Sequence, residues 1–415
     1  MRMDMRFDGL DAPFADLVAT ACAGAGGANG DATVGFSRKP DFIALDFAPN
    51  WIWPIAEERE EERRKFLFPT SPFIYMFADR SHAPSSSSCR RRSFAFLGSR
   101  EGNEAHPRST AEDYMVPPPW IDFPSTMAHR RHEARAIAAL FRPNDSGMSD
   151  MDRFWEMHRP RCRLVILRSC PEAEPRLFPL LTELYARPVV PAGLLLPHDV
   201  VGDDDDNAPG RDQSFSVAVH WLDEQPRVSV IYVALGSEAP VTADHVRELA
   251  LGLELSGARF LWALRRPVGH SGELLPDGFE RRVAGRGVVR TGWVPQVRVV
   301  AHAAVGAFLT HCGWGSTIES LFRFGHPLVM LPFVADQGLI ARAMAARGVG
   351  VEVPRNEDDG SFRGEDVAAA VRWVMVEEES QALARNAGEL QKVVGDRVRQ
   401  ERYTDELVEY LQRYK

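Results

Sequence analysis

The sequence holds little cysteine, and the cysteines it has form no useful pattern. Cys22, Cys89, Cys162, Cys170 and Cys312 are odd in number and scattered along 415 residues. No pair has the spacing of a zinc site or a redox motif, so reduced thiols are expected and a disulfide framework is excluded. Long apolar runs are missing as well. Nowhere do about 18 apolar residues follow one another, so no membrane span is expected. The opening MRMDMRFDGLDAPFADL lacks the unbroken apolar stretch of a secretory leader. Positive charge is not in excess: 49 Lys and Arg against 58 Asp and Glu leave a formal charge of −9, which argues against a nucleic-acid partner. These absences point to a soluble, cytoplasmic protein. Histidine is absent from the first part of the chain, where His82 is the first to occur.

What is present suits two domains. A chain of 415 residues with 45% hydrophobic and 26% charged residues is long for one core and comfortable for two. Residues 10–22 read as a short helix. The glycines of Gly24–Gly30 miss the spacing of a dinucleotide fingerprint and precede a strand, Phe42–Asp46, instead of following one, so they read as a loop. Glu57–Lys65 is a charge run that reads as a solvated helix face. Residues 79–113, rich in Ser, Arg, Pro and Gly, read as a disordered insertion. Cys162–Arg168 and Arg187–Leu195 read as buried strands. The polar stretch 196–212, with the aspartate run Asp203–Asp206, reads as a linker and not as a metal motif, because no strand holds the aspartates.

Beyond residue 213 the pattern becomes regular. VSVIYVAL (228–235) is a continuous apolar run, as expected of a strand covered on both faces. Val246, Leu249, Ala250 and Leu253 then fall at helical spacing. Strand signals recur at Arg259–Leu264, Gly287–Arg290, Val305–His311, Pro327–Pro332 and Gly350–Val353, with helical stretches between them. This alternation predicts a parallel sheet with helices on both faces, whose ligands bind at the carboxyl ends of the strands. Two strand ends carry suitable chemistry. Leu235-Gly236-Ser237 offers flexible backbone and a hydroxyl. VGAFLTH runs into HCGWGSTIES, a Gly-punctuated turn that opens a helix, where N–H groups and the helix dipole favour an anion. His311, Ser316 and Thr317 add donors there, although Gly and Ser also serve as ordinary helix caps.

The whole stretch Trp293–Gln337 closely resembles the signature box of plant secondary-product glycosyltransferases, glycosyltransferase family 1. It combines WxPQ, an apolar run, HCGWxSTxE and a final Asp-Gln. The resemblance extends over VHWLDEQPRVSVIYVALGS, KPDFIALDFAPNWIWPIA and PPPWIDFPS. These pieces look most like the subgroup that adds a sugar to a flavonoid, terpenoid or sterol glycoside. It implies a GT-B fold, two Rossmann-like α/β domains facing across a cleft. The partners would be a UDP-sugar donor, with UDP-glucose favoured, and a small-molecule acceptor, with no metal or other cofactor. Trp293 would stack on uracil, the backbone of Val294 would read its edge, and Glu319 would accept from the ribose hydroxyls beside Gln296. Ser237, His311 and Ser316 would hold the diphosphate. Trp314, Asp336 and Gln337 would surround the sugar.

Two departures stand out. Gly315 occupies a position where the family usually has Asn. The interval between Glu319 and Gly325 is one residue longer than usual. One extra residue turns a helix face by about 100°, so the Asp336–Gln337 end is displaced unless a bulge or loop takes it up.

The resemblance also implies a catalytic histidine near the N-terminus, oriented by an aspartate, for which Asp46 is the matching residue. No Gly-His strand–loop–helix precedes Asp46. The chain is therefore expected to be N-terminally truncated by on the order of 100 residues, at about 30 per strand–helix unit. The expected organisation is a truncated acceptor-binding domain over 1–195 and the 196–212 linker. A UDP-sugar-binding domain follows over 213–390, and then a C-terminal helix in 391–415 that returns to the first domain. A UDP-sugar binder without turnover is the alternative.

Overall fold

In a computed structural model the described residues are 43–45, 73–77, 104–143, 149, 151–152, 162–197, 213–236, 239–267, 269–270, 272–292 and 294–413. They form two sheets. The first has the order β1 (Ile43–Leu45), β2 (Phe73–Phe77), β3 (Cys162–Leu167), β4 (Val189–Pro191). β2 runs antiparallel to both β1 and β3, and β3–β4 is parallel. β2, a short apolar run, FIYMF, is not among the strands expected from the sequence.

Residues 104–113 depart from the expected disordered insertion. The Arg108 side chain is buried over the Tyr114 ring, 4.6 Å from its centroid, and Tyr114 donates its hydroxyl to the Arg108 carbonyl at 2.6 Å. Asp113 Oδ2 accepts from the backbone N–H groups of Ser109 and Thr110 at 2.9 and 2.8 Å. A Ser-Thr-Asp composition that looks like low complexity is here a capped turn.

The second sheet comprises β5 (Val230–Ala234), β6 (Arg259–Leu264), β7 (Gly287–Thr291), β8 (Val305–Thr310), β9 (Leu328–Met330) and β10 (Gly350–Glu352). All of its strand pairs are parallel, in the order β10-β9-β8-β5-β6-β7. The alternation of β5 shows why its run is apolar throughout. Val230, Tyr232 and Ala234 face one core layer with Phe308, Leu328 and Met330. Ile231, Val233 and Leu235 face the other, with Phe260, Trp262 and Val329. Every residue of β5 is buried; a polar side chain on either face would be stranded among apolar groups.

The helices are α1 (Arg131–Ala139), α2 (Leu177–Leu184), α3 (Gln213–Asp223), α4 (Ala243–Ser256), α5 (Phe279–Arg282), α6 (Gln296–Val300), α7 (Trp314–Thr317), α8 (Gln337–Ala346), α9 (Gly364–Met375), α10 (Gln381–Val394) and α11 (Arg397–Gln412). Among the described residues, none is long and apolar enough to cross a membrane. Burial pushes the thiol of Cys170 up to about 11 and that of Cys312 well above its ordinary value, and both are free thiols.

α11 crosses back onto the first sheet. Its Leu411 packs with Leu164, Ile166 and Ala192, its Gln400 Oε1 accepts from Leu194 N at 2.6 Å, and Tyr403 donates its hydroxyl to Glu172 Oε2 at 2.9 Å. Polar links join α1 to the far half: Arg130 Nη2 to Glu352 at 3.1 Å and Nη1 to Glu357 at 3.0 Å, and Arg131 Nη1 to Asp358 at 3.2 Å.

α4 and α9 approach at Gly252, where an added Cβ would lie 2.5 Å from Val367 Cβ. Alanine is intrinsically the better helix former by about 1 kcal/mol. Overpacking at such a contact costs about 1–3 kcal/mol, and in a buried helix pair the overpacking dominates. Gly252→Ala is therefore expected to lower the urea unfolding midpoint; an unchanged or higher midpoint would show that the helices separate at no cost.

Candidate functional site

The order of the second sheet reverses between β5 and β8, the switch point at which open α/β sheets bind ligands beyond their strand ends. Ala234 pairs with Thr310 there, so the segments after the two strands emerge side by side. Gly236 and His311 lie in contact. A Cβ on Gly236 would sit 2.6 Å from His311 Cε1, and one on Gly313 would sit 2.5 Å from His311 Nε2. Gly236 also takes a φ of 71°, so both space and backbone call for glycine. Between the glycines, Cys312 is held at a φ of 63°. A left-handed residue with a side chain costs of order 1–3 kcal/mol and persists where its surroundings over-determine it.

His311 is thus an imidazole clasped between two backbones. Burial, helped by the charge of Arg265, pushes its pKa down to about 4. Arg265 is anchored on the same strand end, its Nε donating to the Gly236 carbonyl at 3.2 Å and its Nη2 to that of Ala239. The ring is neutral at pH 7 and offers a ligand one N–H donor without a net charge. Arg265 itself carries no motif; its place two strands from His311 emerges only in the fold.

The turn after β8 feeds a helix running from Trp314 to Phe324. Its middle, Ile318–Phe322, is a π-turn, with α-helix on both sides. A π-turn closes i to i+5 where an α-helix closes i to i+4, so it takes up one residue. It is a bulge of the size that one extra residue before Gly325 calls for. Glu319 sits on the π-turn and Ser316 one turn before it. From α6, Gln296 Nε2 donates to Glu319 Oε2 at 2.8 Å and to Ser316 Oγ at 3.2 Å. Three residues separated in sequence form one half-buried polar group, and Val294, two residues before Gln296, packs against the apolar core. Gly315 faces open space: nothing lies within 4 Å of an added Cβ.

Other expected site residues are placed differently. The Trp314 indole is buried, edge-on to Phe322 at 5.3 Å, and donates its N–H to the Arg168 carbonyl of the first half at 3.1 Å. Its side chain joins the two halves and does not line an open pocket. Gln337 is buried at the start of α8 and its Oε1 accepts from the N–H groups of Phe333 and Val334, at 2.9 and 3.0 Å. The neighbouring Asp336 is half-buried. Asp46, Ser237 and Trp293 lie outside the described residues.

The low pKa of His311 fixes a sign. A histidine whose folded value lies below its ordinary 6.5 resists protonation when folded, so its stabilising contribution is intact above that pH and is lost as pH falls towards about 4. The stability difference between the protein and its His311→Gln variant should therefore shift across this window in the direction that disfavours the histidine protein at low pH. Imidazole NMR titration should place the midpoint near 4; a midpoint near 6.5 would show that the ring is solvated.

The sequence profile of the UDP-glucoronosyl and UDP-glucosyl transferase family matches residues 203–399. UDP-glycosyltransferase 91C1 of Arabidopsis thaliana is 39% identical over 373 residues, covering 90% of this chain and 74% of its own. A UDP-glucosyltransferase from Polygonum tinctorium capable of glucosylating indoxyl superposes with a TM-score of 0.61 at 28% identity, over 77% of this chain and 68% of that one. Phytolacca americana UGT2, solved with UDP-2fluoro-glucose and pterostilbene, gives a TM-score of 0.51 at 28% identity, over 60% of this chain. The match spans only 55% of the UGT2 chain. These solved relatives share the GT-B arrangement of two α/β domains. With the switch-point geometry and the extent of the sequence match, the chain belongs to the plant UDP-glycosyltransferase family.

Proposed function

We propose that the second half binds a UDP-sugar, UDP-glucose by preference, and that the chain serves transfer of the sugar to a hydroxyl of a small plant metabolite or its glycoside, with inversion. The observation that carries this reading is the convergence of Gln296, Ser316 and Glu319 beside His311 at the switch point. Glu319, oriented by Gln296, has the acceptor oxygens that a pair of ribose hydroxyls requires. His311, Ser316 and Ser237, with the N–H groups opening the Trp314–Phe324 helix, supply donors to a diphosphate. This arrangement leaves no step that calls for a metal. Trp293 supplies the stacking face for the base, with the backbone of Val294 at its edge. Trp314, Asp336 and Gln337 serve the sugar; the buried indole of Trp314 leaves its backbone as the group that can reach it. Gln337 favours glucose by family resemblance.

Inversion requires the acceptor hydroxyl to lose its proton as it attacks the anomeric carbon opposite the departing UDP. General-base catalysis is worth about 10²–10⁴-fold, and Asp46 is assigned to orienting that base. A second reading is a UDP-sugar binder without turnover.

Calorimetry should show UDP binding. Trp293→Ala should cost roughly 1–3 kcal/mol of it, the scale of base–aromatic stacking. Glu319→Ala should cost about 1.5–3 kcal/mol, the scale of hydrogen bonds to charged groups. Equal affinity in both variants would remove the assignment. Coupled assays with UDP-glucose and UDP-glucuronate over a panel of glycoside acceptors then separate the two readings, because a pure binder gives no UDP release above background.

Gly315→Asn fills open space with a polar side chain beside Ser316. It should leave the melting temperature unchanged and tighten UDP binding by about 0.5–1.5 kcal/mol, one net hydrogen bond; weaker binding would mean that the added side chain blocks the site.

A further inference from the structure

The segment Pro332–Gly338, which runs from β9 into the first turn of α8, carries Asp336 and Gln337, and it is clamped from several sides. Arg355 Nη1 donates to the Pro332 carbonyl, and the guanidinium lies 5.0 Å from the Phe333 ring centroid. Gln337 ties down Phe333 and Val334 from within. Ala335, one residue before Asp336, is held at a φ of 55°. The remaining restraint comes from the other half of the molecule. Glu133 of α1 sits directly over Gly338: a Cβ there would lie 2.2 Å from Glu133 Oε1 and 2.6 Å from Arg342 Nη2.

The Glu133 carboxylate is fully engaged. Its Oε2 accepts from Arg342 Nη2 at 2.6 Å and its Oε1 from Arg342 Nη1 at 3.3 Å, so the α8 guanidinium is held by both oxygens. Oε2 also accepts from Arg130 N at 2.9 Å, capping α1, and lies 3.4 Å from His129 Nδ1. Arg342 Nη1 in turn lies 3.7 Å from Glu352, which Arg130 pairs. Burial opposes ionisation of Glu133, but His129 and Arg342 outweigh it and hold the carboxyl below the usual carboxylate range. It is a charged wedge with fixed partners, not a mobile surface acid.

We infer that Glu133 is a positioning residue for the donor sugar: wedged between Gly338 and Arg342, it sets the loop that presents Asp336 and Gln337. The first half of the molecule thereby governs sugar recognition without touching the sugar. This rests on the reading of Asp336 and Gln337 as sugar contacts. The nucleotide contacts at Gln296, Ser316, Glu319 and His311 lie on other elements and do not depend on the wedge.

That separation supplies the test. UDP and UDP-glucose are titrated calorimetrically into the full chain, Glu133→Gln and Gly338→Ala, with melting curves to show that each is folded. Both variants should weaken UDP-glucose about tenfold, the loss of about one hydrogen bond's net worth, and leave UDP within about twofold. Gly338→Ala placed on a Glu133→Ala background should add less loss than it causes alone, because the nearer of the two atoms it collides with is gone and the Arg342 side chain is freed to move. A purely structural role for Glu133 would weaken both ligands together, and that result overturns the inference, as does unchanged UDP-glucose affinity in Gly338→Ala. If Glu133→Gln does not fold, Gly338→Ala decides the matter, since it disturbs the same contact from the opposite side. Failure of the unaltered chain to bind UDP would instead overturn the nucleotide site and the inference with it.

Discussion

The second half is organised around one juxtaposition: β5 and β8 lie side by side, and the chain leaves them in opposite directions. From that reversal follow the crevice, the meeting of Gly236 with His311, and the open start of the helix beyond Trp314. It also sets the chemistry of β5, which is central, covered on both faces and therefore built from aliphatic side chains and one aromatic, Tyr232. A sheet wound in one direction only would have the same strands and no cleft.

Much of this was legible along the chain. Continuous apolar runs mark strands covered on both faces because both sides of the pleat must be filled, and VSVIYVAL is such a run. The glycine-punctuated HCGWGST turn is equally readable, since its backbone must come close to whatever it binds. What could not be read has a common cause. Arg265, Arg168 and Glu133 act through partners far away in sequence, and no local periodicity announces them. The burial of Trp314 belongs to this group. Its indole is used where the two halves meet, a contact that exists only after both have folded. Phe73–Phe77 is a strand because β1 and β3 pair with it; residues 104–113 are a different case, a local turn in which Arg108 stacks on Tyr114 six residues on.

Electrostatics divides the molecule differently from its sheets. At the switch point, His311 is kept neutral by burial and by Arg265, so donors converge there without a titrating charge. At the junction of the halves, charges are instead fully paired and run as a ladder through Glu133, Arg342, Glu352, Arg130 and Glu357. Breaking its buried rung, Glu133–Arg342, leaves a charge uncompensated at a cost of about 3–5 kcal/mol, whereas the exposed Arg130–Glu357 rung contributes far less. Part of what holds the halves in register is therefore directional, and the ladder specifies an angle where apolar contact alone would tolerate sliding.

The π-turn at Ile318–Phe322 shows how a protein can change its length without changing its shape. An insertion in a loop alters the surface; a π-turn can store one residue as a wider turn inside a helix whose two ends still meet their neighbours. Two chains can then agree in space while disagreeing by one in numbering, with the offset falling where a gap is least expected. The wider turn also leaves the Ser320 hydroxyl buried without a partner. The helix thus keeps a local fault line, at which a single deletion can return it to regular winding.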